Sequence, residues 1–223
     1  MRHFILTLTF VCICRSIFGQ TGLDINYETI KATINDKESN SYYPKILERF
    51  NTFDSTLTLQ DYSLIYYGFS FQNDYLKSKP DEKILNDLLK ASDYEKAVQQ
   101  CQKILDSNPV SLLANNKMGF SLFKLNKPEA DWKKYQNRYR MIRKVIVYSG
   151  NGLTCETAFK VIYVSDEYNI LYDYFEIPKI HRQILVGLCD KFEIDTSEYY
   201  KVEEMYFDTS RELFRQQQLI DNK

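Results

Sequence analysis

One cysteine and one histidine are the residues of this chain best suited to nucleophilic chemistry. Cys155 follows a glycine-containing turn, and His181 is the only histidine after the first 20 residues. A thiolate nucleophile needs a base within hydrogen-bond reach and a third group to orient that base. Glu156 or Asp190 could be that third group. Nothing in the spacing requires this arrangement, so the alternative is a purely structural cysteine.

The same residues could form a disulfide or a metal site. Cys155 and Cys189 both fall in the C-terminal part of the chain, and a bridge would need their Cα atoms within about 7 Å. Together with His181 they could supply three zinc ligands, although the chain has no CxxC, HExxH or acidic calcium-loop motif. Cys101 lies in an apolar helical stripe and is predicted to be a small buried hydrophobe. We assign no catalytic, cofactor-binding or metal-binding residue, and no cofactor, from sequence.

Two pairs of neighbouring carboxylates could act as a general acid and a general base. Asp166 and Glu167 are adjacent in a predicted turn, so both are expected to face water. Glu203 and Glu204 alternate along a predicted strand and therefore point to opposite faces. Glycoside hydrolysis needs two carboxyl groups that face each other across the substrate, and neither pair indicates that geometry.

A basic, aromatic segment could suggest nucleic acid. Six basic residues lie between positions 133 and 144 with no acid among them, interleaved with Tyr135 and Tyr139 after Trp132. On a helical wheel the charges spread around the circumference, whereas the aromatic rings mark a core face. The net charge of −1 argues against a general nucleic-acid binder. We expect a solvated helix docked against the acidic C-terminal quarter, and no nucleic-acid partner.

The chain has 18 tyrosines, a large number for its 223 residues. Their rings offer much contact area at low entropic cost, which suits a glycan or peptide groove. The alternative is ordinary packing inside helices and strands. The candidates for such a groove are Tyr66, Tyr67, Tyr172, Tyr174, Tyr199 and Tyr200.

Helical periodicity is clearest between about 80 and 147. Apolar residues recur at spacings of three and four from Tyr94 to Leu105, Ser92 or Asp93 can cap that helix, and Asn108-Pro109 ends it. Pro80 and Pro128 are predicted to open helices, and Asn126 is predicted to end one in the left-handed conformation. Further upstream, Thr58 and Asp61 have capping-box spacing.

Residues 80–140 resemble a tetratricopeptide-type repeat. Pro109 would be the closing proline of one repeat, with Ala97 at its small position and Gly119 at the small position of the next. Cys101 and Ile104 depart from the aromatic and alanine usual there. Only about one and a half repeats are visible, against the three or more that a solenoid needs. The pattern therefore predicts a layer of antiparallel helix pairs, not a peptide-binding superhelix.

After Gly150 the hydrophobic period changes from 3.6 to 2. A hairpin is predicted from two strands joined by the turn Ser165-Asp166-Glu167. The first strand is residues 158–164, and in the second Tyr168, Ile170, Tyr172 and Tyr174 alternate with their neighbours. Residues 184–189 and 202–207 are predicted to be a third and a fourth strand, and 212–219 a short final helix capped by Ser210. Short links imply antiparallel pairing.

The first 20 residues are predicted to be a cleavable signal peptide. An apolar run from Phe4 to Cys14 follows Arg2 and is too short to span a bilayer, which takes about 20 residues. The alternative is a buried N-terminal helix. No later stretch is long and apolar enough to span a membrane. We therefore expect an exported protein, in the periplasm or cell envelope or secreted.

Several short runs are similar to a known family. They are Gly152 to Val161 with Ser165-Asp166-Glu167-Tyr168, Tyr66 to Phe71, Cys189 to Phe192, and Tyr206-Phe207-Asp208. Together they resemble exported proteins of Bacteroidetes that are known only as a domain of unknown function, family 4919. The resemblance implies an envelope or secreted location. It implies no activity and no site residue.

The predicted fold is α+β, with a helical layer of TPR-like pairs at 21–148 packed on a three- to four-stranded antiparallel sheet at 149–223, in one compact unit. Three functional hypotheses stay open. The first is a non-enzymatic envelope module that binds a protein or peptide. The second is a hydrolase whose residues converge only in three dimensions, with Cys155, Glu156 and His181 as nominal candidates. The third is a carbohydrate-binding module that uses exposed tyrosines.

Overall fold

The structure is a computed structural model, and it describes residues 22–221. The predicted signal peptide at 1–20 lies outside this range. The described helices are α1 (Tyr27–Asn35), α2 (Tyr43–Asn51), α3 (Leu59–Phe69), α4 (Glu82–Lys90), α5 (Tyr94–Ser107), α6 (Leu112–Lys124), α7 (Glu129–Val147), α8 (Val164–Asp173) and α9 (Ser210–Asp221). The strands are β1 (Phe159–Lys160), β2 (Ile180–Val186), β3 (Cys189–Ile194) and β4 (Glu204–Asp208). The α+β class is confirmed.

Most predicted helix boundaries are confirmed, with their capping residues. Thr58 and Asp61 form the reciprocal capping box of α3, and the Asp93 side chain accepts from the amide of Lys96 at the start of α5. Asn126 has a φ of 53° just after α6. Pro80 is the exception, because Asp81 is the N-cap of α4 and the proline precedes the cap.

Helices α4 to α7 pack on one another in sequence order. Their shared interior, here called the small core, consists of Leu85, Ala97, Cys101, Ile104, Leu105, Leu113, Ala114 and Met118. Gly119 permits a close approach between α6 and α7, because a Cβ there would lie 2.6 Å from Nε2 of Gln136. The predicted layer of helix pairs therefore exists. Its likeness to tetratricopeptide repeats stays a prediction.

The sheet is mixed, so the prediction of purely antiparallel pairing is wrong. Its strand order is β1-β4-β3-β2, and both β4–β3 and β3–β2 are antiparallel. The pair β1–β4 is parallel, with Phe159 opposite Phe207. The parallel pair arises because α8 and the β2–β3 hairpin form a long crossover between β1 and β4, and only such a connection can return a strand in the same direction.

The predicted hairpin over 158–174 is also wrong. Only the two residues of β1 are strand, whereas Tyr168 and Tyr172 lie on helix α8 and Tyr174 is its C-cap. The predicted third strand at 184–189 is divided between β2 and β3 by a turn at Gly187, whose φ is 65°. The fourth strand and the final helix are confirmed as β4 and α9.

A second and larger interior, the large core, joins the two halves of the chain. Its buried residues run from Ile25 in the N-terminal part to Phe207 in β4. It includes the junction segment, residues 159–163, which connects β1 to α8. No helix within the described range is both long and apolar enough to cross a membrane.

Candidate functional site

Three buried tyrosine hydroxyls hold the junction segment in place. Tyr67 donates to the carbonyl of Lys160 at 3.0 Å, Tyr66 accepts from the amide of Ile162 at 3.1 Å, and Tyr75 donates to the carbonyl of the same residue. Tyr66 and Tyr67 are fully buried. The expectation that these two tyrosines line an open groove is therefore wrong, because their rings belong to the large core.

The junction segment leads into a set of four buried carboxyl groups, here called the carboxyl cluster: Asp166, Glu167, Asp190 and Glu212. The exposed fractions of Asp166 and Glu167 are 5% and 0%. The expectation that these two residues face water in a turn is wrong, because they are buried in the first turn of α8.

Glu212 of α9 caps the start of α8. One of its oxygens accepts from the amide of Val164 at 2.8 Å. The other pairs with Lys79 at 2.7 Å and accepts from Gln216 at 3.1 Å. A carboxylate at a helix N-terminus satisfies an otherwise unpaired amide and interacts favourably with the helix dipole. Glu212 therefore positions α8 against α9 and the segment before α4.

Burial shifts the pKa of both carboxyl groups that start α8. It raises the pKa of Asp166 to about 7, against a hydrogen bond from Tyr66 at 2.7 Å that favours the ionised form. It raises the pKa of Glu167 to about 10, and the neighbouring charge of Asp190 adds to the effect. Neither carboxyl oxygen of Glu167 has a hydrogen-bond partner in the described structure. Only the protonated form of Glu167 can donate a hydrogen bond towards Asp190. Both groups are closed to solvent, so they offer no accessible acid–base pair.

The cysteine candidates do not supply chemistry in this structure. Cys155 and Cys189 form a disulfide with Cα atoms 5.8 Å apart, which leaves no thiolate there as a nucleophile or zinc ligand. His181 is exposed and pairs with Asp195 at 2.7 Å. Residues 22–221 contain no group of three or more side chains placed to hold a metal ion. Cys101 is buried as predicted, and burial raises the pKa of its thiol to about 12.

Helix α7 does not dock through charge on the acidic sheet. Arg138 is buried, with its guanidinium 4.0 Å from the ring centre of Phe50 and 3.8 Å from that of Phe53. The only α7 cation with an ion pair in residues 22–221 is Lys133, which pairs with Glu129 on the same helix. The expected docking is therefore wrong, since apolar and cation–π contacts hold the helix.

An open groove lies where α6 passes between α4 and α8, and we call it the helical groove. It consists of two adjoining cavities of about 460 and 420 Å³ that share Asn86 and Lys117. Leu113 and Phe120 contribute apolar surface to its floor. On the α8 wall the rings of Tyr168 and Tyr172 stack, with centroids 6.4 Å apart.

Side chains from neighbouring helices fix the α8 wall of the groove. Near the C-terminal end of α8, the Asp173 carboxylate accepts from Tyr139 at 2.6 Å and from Asn116 at 3.1 Å. Arg143 donates to the carbonyl of the same residue. With Glu212 at the other end, α8 is held at both termini, so the groove has a preformed shape.

The fold and groove define a class of protein: an α+β chain with a helix-pair layer, an enclosed carboxyl cluster and an open polar–apolar groove. Within that class, the chain belongs to the family described as Domain of unknown function (DUF4919), whose model matches residues 28–218. No curated protein and no solved structure matches the chain. The family assignment predicted from the short runs is confirmed.

Sequence reasoning missed the residues that build this region. Asn86 and Lys117 are ordinary polar residues on predicted helices, and Glu212 and Tyr75 carry no local pattern. A signal was available for the residues that lie in runs resembling the family, among them Tyr66 and Asp166. Their contact spans 100 positions, a separation that local periodicity cannot register.

Proposed function

We propose that this protein is a non-enzymatic interaction module of the cell envelope that holds an extended, acidic peptide segment in the helical groove. The location is that expected from the predicted signal peptide. The observation that carries the proposal is the unused pair of polar side chains at the centre of the groove. In residues 22–221 neither the Asn86 amide nor the Lys117 ammonium makes a hydrogen bond or ion pair.

These two side chains suit an extended chain in different ways. A free carboxamide has donors and an acceptor that match the backbone of a peptide with no secondary structure. A half-buried ammonium without a carboxylate partner favours an anionic side chain or a C-terminal carboxylate. Glu82 lies on α4, as Asn86 does. Burial raises the pKa of the Glu82 carboxyl group, and the positive charges of Lys79 and Lys117 oppose that shift. The groove thus combines hydrogen bonding with positive charge near Lys117.

Apolar surface beside the polar pair supplies contact area. Phe120, Tyr168 and Tyr172 are all more than one-third exposed, which is unusual for rings arranged along one groove. Tyr168 is held by its hydroxyl, which donates to Gln183 at 2.6 Å, and by ring contacts with Phe192 and Tyr172. Fixed aromatic side chains lose little entropy on binding.

The test is selection of peptides from a random library on the purified chain, followed by fluorescence anisotropy of the selected sequences. We expect enrichment of acidic residues, because Lys117 makes no hydrogen bond or ion pair within residues 22–221. Lys117→Glu is expected to weaken the selected peptides by about tenfold or more, as expected for loss of a charged hydrogen bond. Asn86→Ala should weaken them by a smaller factor.

The matched control is Lys103→Glu, which makes the same charge change on the exposed side of α5. It should leave binding unchanged at a given salt concentration. Equal weakening by the two charge reversals would show a non-specific electrostatic effect and would contradict the proposal. Selection of neutral peptides that bind the Lys117→Glu variant normally would contradict it as well.

The hydrolase hypothesis gains no support from this geometry. Cys155 is bridged, Glu156 and His181 are exposed and do not meet each other, and the carboxyl cluster is enclosed. The groove itself offers Glu82 and Asp173, and the second of these carboxylates is already occupied by Tyr139 and Asn116.

A further inference from the structure

A second cavity meets the helical groove at Asp173, the last residue of α8, and we call it the arginine cleft. Its volume is about 620 Å³, and it is bounded by the C-terminal half of α7, the C-terminal end of α8 and the loop before β4. Two arginines of α7, Arg140 and Arg143, and three tyrosines, Tyr174, Tyr199 and Tyr200, contribute to its lining.

Arg143 is held in a fixed orientation beside the cleft. Its guanidinium lies 4.2 Å from the ring centre of Tyr139 and 5.7 Å from that of Tyr174, and one nitrogen donates to the carbonyl of Asp173. Its Nε is buried without a partner in the described structure. Most of the five donors of this guanidinium therefore have no acceptor among residues 22–221.

Arg140 lies one helical turn earlier and is exposed. It makes no hydrogen bond or ion pair in residues 22–221. Asp173 is the one carboxylate in the lining, and its bonds to Tyr139 and Asn116 direct it to those partners. Two guanidinium groups therefore face the cleft, and no carboxylate in the described part of the chain is paired to either of them.

Tyr199 adds an exposed ring at the rim. It is 56% exposed, yet its backbone is fixed, because Ser197 accepts from the amides of Tyr199 and Tyr200 at 3.1 Å each and donates to the carbonyl of Phe175. Tyr200 is anchored below it by its hydroxyl, which donates to the carbonyls of Gly152 and Glu204. A large ring held open to solvent is a contact surface, not a core element.

We propose that the arginine cleft binds a saccharide ring that carries a carboxylate. A guanidinium fork matches a carboxylate with two parallel hydrogen bonds. A tyrosine face offers apolar, low-entropy contact to the C–H face of a sugar ring. The combination of arginines that lack a carboxylate partner in the described residues with an exposed tyrosine on a fixed backbone distinguishes this cleft from the helical groove, where the cation is a lysine and the polar partner an amide.

The test is titration of the purified chain with D-glucuronate, D-glucose and inorganic phosphate, followed by NMR chemical shifts or calorimetry. We expect glucuronate to bind about tenfold or more tightly than glucose, as expected for charge-assisted hydrogen bonds. Arg140→Ala should abolish that preference, and Tyr199→Ala should weaken glucuronate and glucose alike. Both side chains are exposed, so neither substitution should impair folding.

Two variants serve as matched controls. Arg182→Ala removes an exposed arginine from β2, and Tyr172→Ala removes an exposed tyrosine on the groove side of α8; neither should change glucuronate binding. Equal affinity for glucose and glucuronate would overturn the proposal, as would normal binding by Arg140→Ala. Phosphate binding as tight as that of glucuronate would show a simple anion site and would also overturn it. Peptide binding in the helical groove does not depend on any of these outcomes.

Discussion

The small core and the large core are built in opposite ways. The eight buried residues of the small core come from one continuous stretch, between Leu85 and Met118, and all of them are apolar or nearly so. The large core collects residues from Ile25 to Phe207 and contains tyrosine hydroxyls bonded to the junction segment. The small core follows from local hydrophobic periodicity, whereas the large core is specified by polar contacts between residues far apart in sequence.

The difference explains where the clefts lie. A purely apolar interior does not require particular pairs of atoms to meet. Each buried polar group, in contrast, lowers stability by about 1–3 kcal/mol if it is left without a hydrogen-bond partner. Helix α8 is held by such partners at both ends, through Glu212 and Asp173. It therefore gives the helical groove and the arginine cleft, which share Asp173, a fixed boundary.

Loss of the disulfide should have the largest effect on stability. Replacing Cys155 and Cys189 together by serine opens a link across 34 positions, and loop-closure entropy predicts a loss of about 4 kcal/mol. The measurement is urea unfolding under non-reducing conditions, with Cys101→Ala as a control in the small core. A loss below about 1 kcal/mol would mean that the large core does not depend on this covalent link.

Leu85→Ala should come next, with a loss of about 3 kcal/mol from the cavity that it leaves in the small core. Because no titrating group is involved, the loss should be the same at pH 5 and pH 8. Hydrogen exchange should accelerate in α4 to α6 and stay unchanged in α8, since the two cores are separate. Equal acceleration in α8 would show that the cores unfold as one unit.

Tyr66→Phe tests the polar side of the comparison and should cost about 2 kcal/mol, because it leaves Asp166 and the amide of Ile162 without a partner. The loss should be greater at pH 8 than at pH 5, since the hydroxyl bonds more strongly to an ionised Asp166, whose pKa is about 7. Tyr172→Phe, at an exposed ring, is the control. A pH-independent loss would show that Asp166 does not titrate in this range.

Glu167→Gln should have the smallest effect and the opposite sign. The pKa of Glu167 rises from 4.5 to about 10, so the folded chain retains a proton that the unfolded chain releases, and stability declines as pH rises between these values. Glutamine needs no proton, so the variant should be more stable at pH 8 by about 1 kcal/mol after local relaxation, and little changed at pH 4.5. Glu193→Gln, on the outer face of β3, should change nothing. A destabilised Glu167→Gln at pH 8 would contradict a protonated Glu167.

The two cores also divide what could be predicted from sequence. Stripes such as Tyr94 to Leu105, with Asp93 and Asn108 at the ends, predicted the helix-pair layer because their contacts are local. Helix α8 was missed because Tyr168, Ile170, Tyr172 and Tyr174 alternate with their neighbours, which is typical of a strand. The apolar helical stripe that buries Ile170 and Leu171 is interrupted by a buried Glu167.

The candidate sites escaped prediction for a related reason. The helical groove needs Asn86 and Lys117 to come together from two helices, and the arginine cleft needs α7 to meet the loop that carries Tyr199. In the sequence, Asn86, Lys117 and Tyr199 do not differ from ordinary surface residues. The disulfide was an open alternative in the sequence, since spacing cannot decide whether two cysteines meet.

The position of Cys101 makes the small core able to report its own opening. It is the single unbridged cysteine in residues 22–221, fully enclosed between α4, α5 and α6. A thiol in that state reacts with an alkylating reagent only during transient exposure, so the rate of its modification measures how often this part of the molecule opens. Saturation of the helical groove by a peptide that bridges α4 and α6 should slow that reaction. The rate at which the Cys101 thiol is modified then also reports how much of the groove is occupied.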